Sequence, residues 1–282
     1  MNKPKLSFWQ IWNLSFGFLG VQIGYSLQNS NTSSIFESLG ADVSHLSYFW
    51  LAAPIAGMIV QPIIGLFSDG TWTRLGRRIP YILGGSVIST LALALMPNCP
   101  RLLAFAPLAM GAFILLFMDL SFNVTMQPFR ALVADMLDDS QKTQGYVVQT
   151  FLINLGAVIG AILPLLMTQM GVSDETVPGQ VPAHIAYSYY IGGAILLLTV
   201  LVTAFRTREY PPEEFARYND IRKEENDAPR PGFLTLLRNV PQAMVRLGIT
   251  QFFSWAALFL MWTYLKPAIT GVVTDPPGEA RS

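Results

Sequence analysis

Long apolar stretches alternate with short polar turns along this chain, and the alternation predicts helices that cross a bilayer. A spanning helix needs about 20 mostly apolar residues. Seven such stretches cover roughly residues 8–34, 45–67, 79–97, 102–128, 145–169, 184–206 and 247–269. Pro97, Pro100, Pro178 and Pro182 fall in the turns between them, where a fixed φ and a missing N–H break helices. One connection differs from the rest. Residues 207–245 are long, charged and proline-rich. The expected organisation is a six-helix bundle over 1–206, a charged central loop over 207–245, a seventh helix over 246–270 and a polar tail over 271–282.

Polar residues inside the apolar stretches are costly in lipid, so they face a cavity or a partner. In the fourth span Asp119, Asn123, Gln127 and Arg130 project to about 0°, 40°, 80° and 20° on a helical wheel, which is one face. Asp119 and Arg130 lie ~16 Å apart along that helix. Each therefore needs another partner, unless the helix bends at Pro128. Asp135 projects to about 160° and is expected in the loop beyond. An acid that is neutral when sealed and charged when wetted is a natural proton carrier. Ser15, Gln22, Ser26, Asn29 and Ser33 make a second stripe on the first span. They suit hydrogen bonding to a polyhydroxylated ligand, or packing between helices through small polar groups. Tyr25 and Trp255 are rings on which a sugar face could stack. Gly20–Gly24 and Gly156–Gly160 have the spacing of close helix packing.

Composition narrows the class. Of the 282 residues 52% are apolar and 13% charged, against about a quarter charged in soluble domains. The formal net charge is zero, which gives no reason to expect a nucleic-acid partner. Cys99 is the single cysteine, so neither an intrachain disulfide nor a cysteine metal cluster is expected. His45 and His184 are isolated in or beside loops, and no nucleophile elbow, phosphate loop or metal spacing occurs. An enzyme is therefore not expected, nor is a cofactor. Lys3 and Lys5 precede a first helix too long for a cleaved signal peptide, so that helix is expected to stay as an anchor. With the N-terminus taken as cytoplasmic, all but Arg101, Lys266 and Arg281 of the 18 Lys and Arg residues lie on or near that side. The opposite loops carry Glu37, Asp42, Asp174 and Glu175.

The turn at 65–80 reads GLFSDGTWTRLGRRIP. It resembles the loop between helices two and three of the major facilitator superfamily. More narrowly, it resembles the sucrose and maltose proton symporters of the glycoside-pentoside-hexuronide group. QIGYSLQ at 22–28, WLAAPIAGMIVQP at 50–62, DLSFNVTMQPFRALVAD at 119–135 and QFFSWAALFLMWTY at 251–264 are similar to that group in the same order. The resemblance implies an all-α transmembrane fold with alternating access between two six-helix halves. It implies proton coupling at Asp119 and a transport-critical charge at Arg130. It implies a cytoplasmic gate from Asp69, Arg74, Gly76, Arg77 and Arg78. Sugar-binding candidates are Gln22, Tyr25, Ser26, Gln28, Asn29, Asn123 and Gln127.

Sodium sites draw on several oxygen ligands, often more than one carboxylate. The first two spans hold no acid within the bilayer, which favours a proton as the coupling ion. The expected partners are a disaccharide or glycoside and the lipid bilayer, with no protein partner required. The expected location is an inner membrane of bacterial type. The tail after Pro267 does not resemble the family's continuation, so the chain reads as the N-terminal half plus a seventh helix. Alternatives are a sodium-linked or uncoupled glycoside carrier, and a non-transporting scaffold or inactive fragment.

Overall fold

The computed structural model describes residues 3–41, 52–175, 177, 179–218 and 239–274. The chain divides into two compact units, Met1–Ile221 and Arg222–Ser282. The first contains α1 (Phe8–Ser38), α2 (Ala52–Gly70), α3 (Ile79–Leu95), α4 (Cys99–Leu102), α5 (Pro107–Met136), α6 (Asp139–Gln169), α7 (Ala183–Arg206) and α8 (Pro212–Tyr218). A 3-10 turn, Met96–Asn98, joins α3 to α4. The second unit contains α9 (Gln242–Thr274).

Local chemistry sets the helix starts. Ser7 and Gln10 form a reciprocal capping box at α1, each side chain bonded to the other's backbone N–H. Pro80 and Pro107 occupy first-turn positions of α3 and α5, where the missing N–H leaves no intrahelical bond unmade. Asp138 caps α6 through the Ser140 N–H at 3.0 Å.

Among the described residues, four helical stretches are long and apolar enough to cross a membrane: Ile79–Leu102, Pro107–Met136, Asp139–Gln169 and Ala183–Arg206. The sequence pattern predicts seven. The 31-residue α1 has the length, but its run of Ser, Asn and Gln dilutes its apolar character. The start of the second expected span, 45–51, lies outside the described residues. Helix ends also shift. The fourth span continues through Pro128 to Met136, so Asp135 sits on the last turn of α5 and not in a loop as expected. A proline inside a membrane helix is tolerated where neighbours satisfy the freed groups.

α1 is the central post of the first unit and packs along α6 and α7, while α5 packs on α2 and α3. The buried core runs through Phe18, Ile23, Leu27 and Phe36 of α1 to Phe122 and Phe129 of α5. The Phe18 and Phe129 rings stack at 5.3 Å. The outer faces carry apolar side chains too: Met58, Phe67, Val147, Val158, Leu198 and Phe205 are all more than half exposed. An apolar exterior of this extent is a surface for lipid.

Lipid tails are as apolar as the helix faces, so close contact and polar bonds hold such bundles together. Ser26 donates to the Ala157 carbonyl at 2.8 Å, and Thr203 donates to the Asn13 carbonyl at 2.8 Å. Gly156 and Gly160 let α6 lie directly on the α1 backbone. A Cβ on Gly160 would stand 2.5 Å from the Ile23 carbonyl oxygen and 2.9 Å from Ser26 Cβ. Neither obstacle is a flexible side-chain end. Gly160→Val is therefore expected to destabilise the bundle by roughly 1–3 kcal/mol, read as a lower melting temperature in detergent. Gly84→Val makes the control, because no atom lies within 4 Å of that Cβ position; equal losses in both variants would contradict the packing account.

Candidate functional site

Two polar regions interrupt the apolar core, one in the middle of the bundle and one at the end that holds the N-terminus. The middle region is built from α1, α2 and α5. Asp119 is 2% exposed on α5, and it accepts a hydrogen bond from Gln28 Nε2 of α1 at 2.5 Å. Gln28 is fully buried. The second carboxylate oxygen of Asp119 and the amide oxygen of Gln28 are also buried, and neither has a hydrogen-bonding partner among the described residues. One turn further along α5, Asn123 donates to the Asp119 backbone carbonyl at 2.8 Å and accepts from Gln61 Nε2 of α2 at 2.7 Å. Beside this pair lies a groove of about 330 Å³ lined by Gly57, Met58, Gln61, Pro62, Gly65 and Gln127. That volume is at the small end of ligand sites.

The residues expected near a ligand do not all meet there. Gln127 lines the groove, and Asn123 reaches it only through its bond with Gln61. Gln28 instead holds Asp119, from inside the core. Tyr25 is half-buried, with its ring edge-on to Phe122 at 5.6 Å. Gln22 and Ser26 lie where α6 crosses α1 at Gly156 and Gly160. Asn29 is exposed, and Ser15 is buried with its hydroxyl unpartnered among the described residues. Trp255 lies on α9, in the other unit. Arg130 is exposed near the far end of α5 from Asp119, and α5 continues through Pro128 without bringing the two together.

The second region is a charge cluster at the joints between α2, α3, α5 and the segment after α7. Arg77 and Arg78 immediately precede α3 and are 8% and 5% exposed. Arg78 spans three partners: Asp69 at 2.5 Å, Asp135 at 2.9 Å and the Ser68 hydroxyl at 2.5 Å. Arg77 reaches Asp135 at 2.5 Å and stands 4.2 Å from the centre of the Phe215 ring on α8. Arg74 is exposed and takes no part in these bonds. Residues 3–6 belong to the same end, since Leu6 and Gln141 exchange backbone and side-chain bonds at 2.9 and 2.8 Å.

Glu209 completes the cluster. Its carboxylate accepts from the backbone N–H groups of Arg77 at 3.0 Å, Arg78 at 2.8 Å and Ile79 at 2.8 Å. These are donors that the start of α3 leaves unpaired, and the helix dipole favours an anion there. Burial holds the Glu209 carboxyl above the ordinary glutamate range, against the pull of its three backbone donors. Gly76 has φ +109°, and a Cβ there would stand 2.6 Å from the Glu209 carboxyl carbon. A glycine suits this position twice over, for its φ and for its lack of a side chain. Glu209 falls in the expected charged central loop, 207–245. The opening of that segment is docked on the start of α3, and 219–238 lie outside the described residues. Spacing gave no signal for Glu209, which lies about 130 residues from its partners.

The sequence matches the family described as MFS/sugar transport protein over residues 35–271. It is 25% identical to a general alpha-glucoside permease of Schizosaccharomyces pombe, across 93% of this chain and 48% of the permease. It is 27% identical to the sucrose transport protein SUT5 of Oryza sativa subsp. indica, across 85% of this chain and 48% of that protein. Over 50% of this chain it is 31% identical to the sucrose transport protein SUC3 of Arabidopsis thaliana, of which it covers 26%. The chain thus spans about half the length, or less, of the curated relatives it matches.

Proposed function

Because the chain belongs to the MFS/sugar transport family and is an integral membrane protein, we propose that it supplies one wall of a disaccharide path in a proton-coupled symporter. Alternating access in this fold takes two halves that rock about a central site. The observation that carries the reading is the middle polar region: a buried acid, Asp119, one turn from Asn123, which is bonded to Gln61 of α2, and two turns from Gln127 at an open groove. Amide side chains can both donate to and accept from sugar hydroxyls. An intramembrane acid marks a functional site by default, and proton relay is one of the roles such acids fill. Names of relatives support an α-glucoside or sucrose-like substrate.

A proton fits better than sodium. Asp119 is the one clear acid at mid-membrane in the sequence, and a sodium site draws on more oxygen ligands than one carboxylate. The positive-inside pattern supports a cytoplasmic N-terminus, which makes the Arg77–Arg78 cluster the inner gate. In this reading Arg78 and Glu209 fasten the ends of α2, α3 and α5 when that side is closed.

The test is uptake of labelled sucrose and maltose into proteoliposomes under an imposed pH gradient, acid outside. Accumulation that a protonophore abolishes is the expected result. Accumulation driven only by a sodium gradient replaces the proton. Equilibration without accumulation makes the protein a facilitator. No uptake, together with no sugar-dependent rise in melting temperature, overturns the transport reading, since a ligand that binds the native state must stabilise it.

A further inference from the structure

Gln28 and Asp119 share one hydrogen bond and leave two buried acceptors, Gln28 Oε1 and Asp119 Oδ2, without a donor among the described residues. Buried acceptors without partners are rare, and each is costly in a water-free interior. An amide and a carboxylic acid are complementary: the amide N–H donates to one carboxyl oxygen, and the acid O–H donates to the amide oxygen. A single proton on Oδ2 therefore satisfies both orphaned atoms at once. We propose that Gln28 is the positioning residue for Asp119, a reciprocal amide that holds the neutral acid in the sealed bundle. The inference rests on Asp119 as the proton site and assigns Gln28 to the proton, not to the sugar.

The step balances simply. A proton from water bonds to Oδ2, the carboxylate charge is lost, and the new O–H donates to Gln28 Oε1. Release reverses it: the O–H bond breaks, the proton returns to water, and the carboxylate keeps the Nε2–H bond. Release needs water at Oδ2, so the α1–α5 contact must open. Few other ionisable groups lie on the elements packed against α5. α1 brings Tyr25, edge-on to Phe122, and Glu37 at its last turn. α2 brings Asp69 at its end, within the charge cluster, and α3 brings Tyr81 at its start, paired with Thr71. Cys99 and Arg101 lie on α4, while Asp139, Lys142 and Tyr146 lie on the first turns of α6, beyond the charge-cluster end of α5. On α5 itself Arg130 lies ~16 Å and Asp135 ~24 Å along the axis, the latter tied to Arg77 and Arg78.

Infrared difference spectroscopy on the purified protein in liposomes reads the pair directly. A protonated carboxyl gives a carbonyl band, assigned to Asp119 by its loss in Asp119→Asn. In Gln28→Leu that band is expected to move to higher frequency, as a carbonyl released from its donor. Gln28→Asn draws the amide back by one methylene and gives the same shift. Gln28→Asn combined with Asp119→Glu restores the reach and returns the band toward its original position. The double variant separates lost pairing from lost folding. In uptake assays, pH-driven accumulation is expected to fall roughly tenfold in Gln28→Leu, the size of one net hydrogen bond, while sugar exchange without a gradient persists. An Asp119 band indifferent to residue 28 overturns the proposal even if transport is proton-coupled. A band that follows residue 28 in a protein without uptake keeps the pair and removes the transport reading.

Discussion

Asp119→Asn is expected to abolish pH-driven sugar accumulation while leaving the protein folded in the membrane. The substitution is nearly isosteric. Asn retains an oxygen that can accept from Gln28 Nε2, the bond that Asp119 makes at 2.5 Å. The backbone carbonyl that receives Asn123 is unaffected. What disappears is the titratable proton. Without it a pH gradient has no handle on the equilibrium between inward-open and outward-open states, because a ligand shifts an equilibrium only through differential affinity. Accumulation should fall to the level of empty liposomes, whereas counterflow of sugar against sugar should continue. Labelled sugar uptake with and without a gradient checks both halves. Normal accumulation by the variant would falsify the proton assignment.

Arg78→Ala is expected to give the largest loss of stability among single changes at the charge cluster, roughly 3 kcal/mol. The guanidinium is 7% exposed and binds two carboxylates and a hydroxyl. Its removal leaves Asp135 with Arg77 alone. Asp69 is half exposed, so water compensates much of its loss and it adds little. The melting temperature in detergent should drop accordingly, and Arg78→Lys should recover only part of it. A lysine is a point charge without the planar fork that reaches Asp69, Asp135 and Ser68 together. Asp135→Asn in the Arg78→Ala background should recover part of the loss by removing the acid left short of partners, a coupling that a double-mutant cycle measures. Additive losses would mean that the two residues act independently.

Much of the fold was legible because lipid makes the hydrophobic pattern a strong constraint. The family signatures were legible because they are short and local. The turn at 65–80 announced its own charges, and the wheel of the fourth span placed Asp119, Asn123 and Gln127 on one face. Partnerships between distant residues were not legible. Gln28 lies on the opposite side of α1 from the Ser15–Ser33 stripe, and no spacing rule joins it to residue 119. Asp135 was assigned to a loop because the expected span stops at 128, at Pro128, whereas α5 runs through that proline to Met136 and buries Leu132, Val133 and Met136. Glu209 looked like one charge among many in a proline-rich segment. Its role comes from the unpaired N–H groups of a helix start far away in the chain. The small-polar stripe of α1 had two readings, and Ser26 shows one of them at work as a helix-to-helix bond.

The Glu209 cap also sets an order of events during synthesis. Arg77, Arg78 and Ile79 leave the ribosome about 130 residues before the carboxylate that satisfies their N–H groups. At ordinary rates of translation that interval is on the order of ten seconds. Throughout it, α3 has an open, electropositive N-terminus, and for a little under the first half of it Asp135, the acid on α5 that pairs with the two arginines, has also yet to emerge. The Glu209 cap on this turn is therefore a late contact of the first unit, made only after α7 has been synthesised. A nascent chain stalled short of residue 209 presents to the insertion machinery a bundle that is apolar enough to stay in lipid but not yet fastened at its basic end.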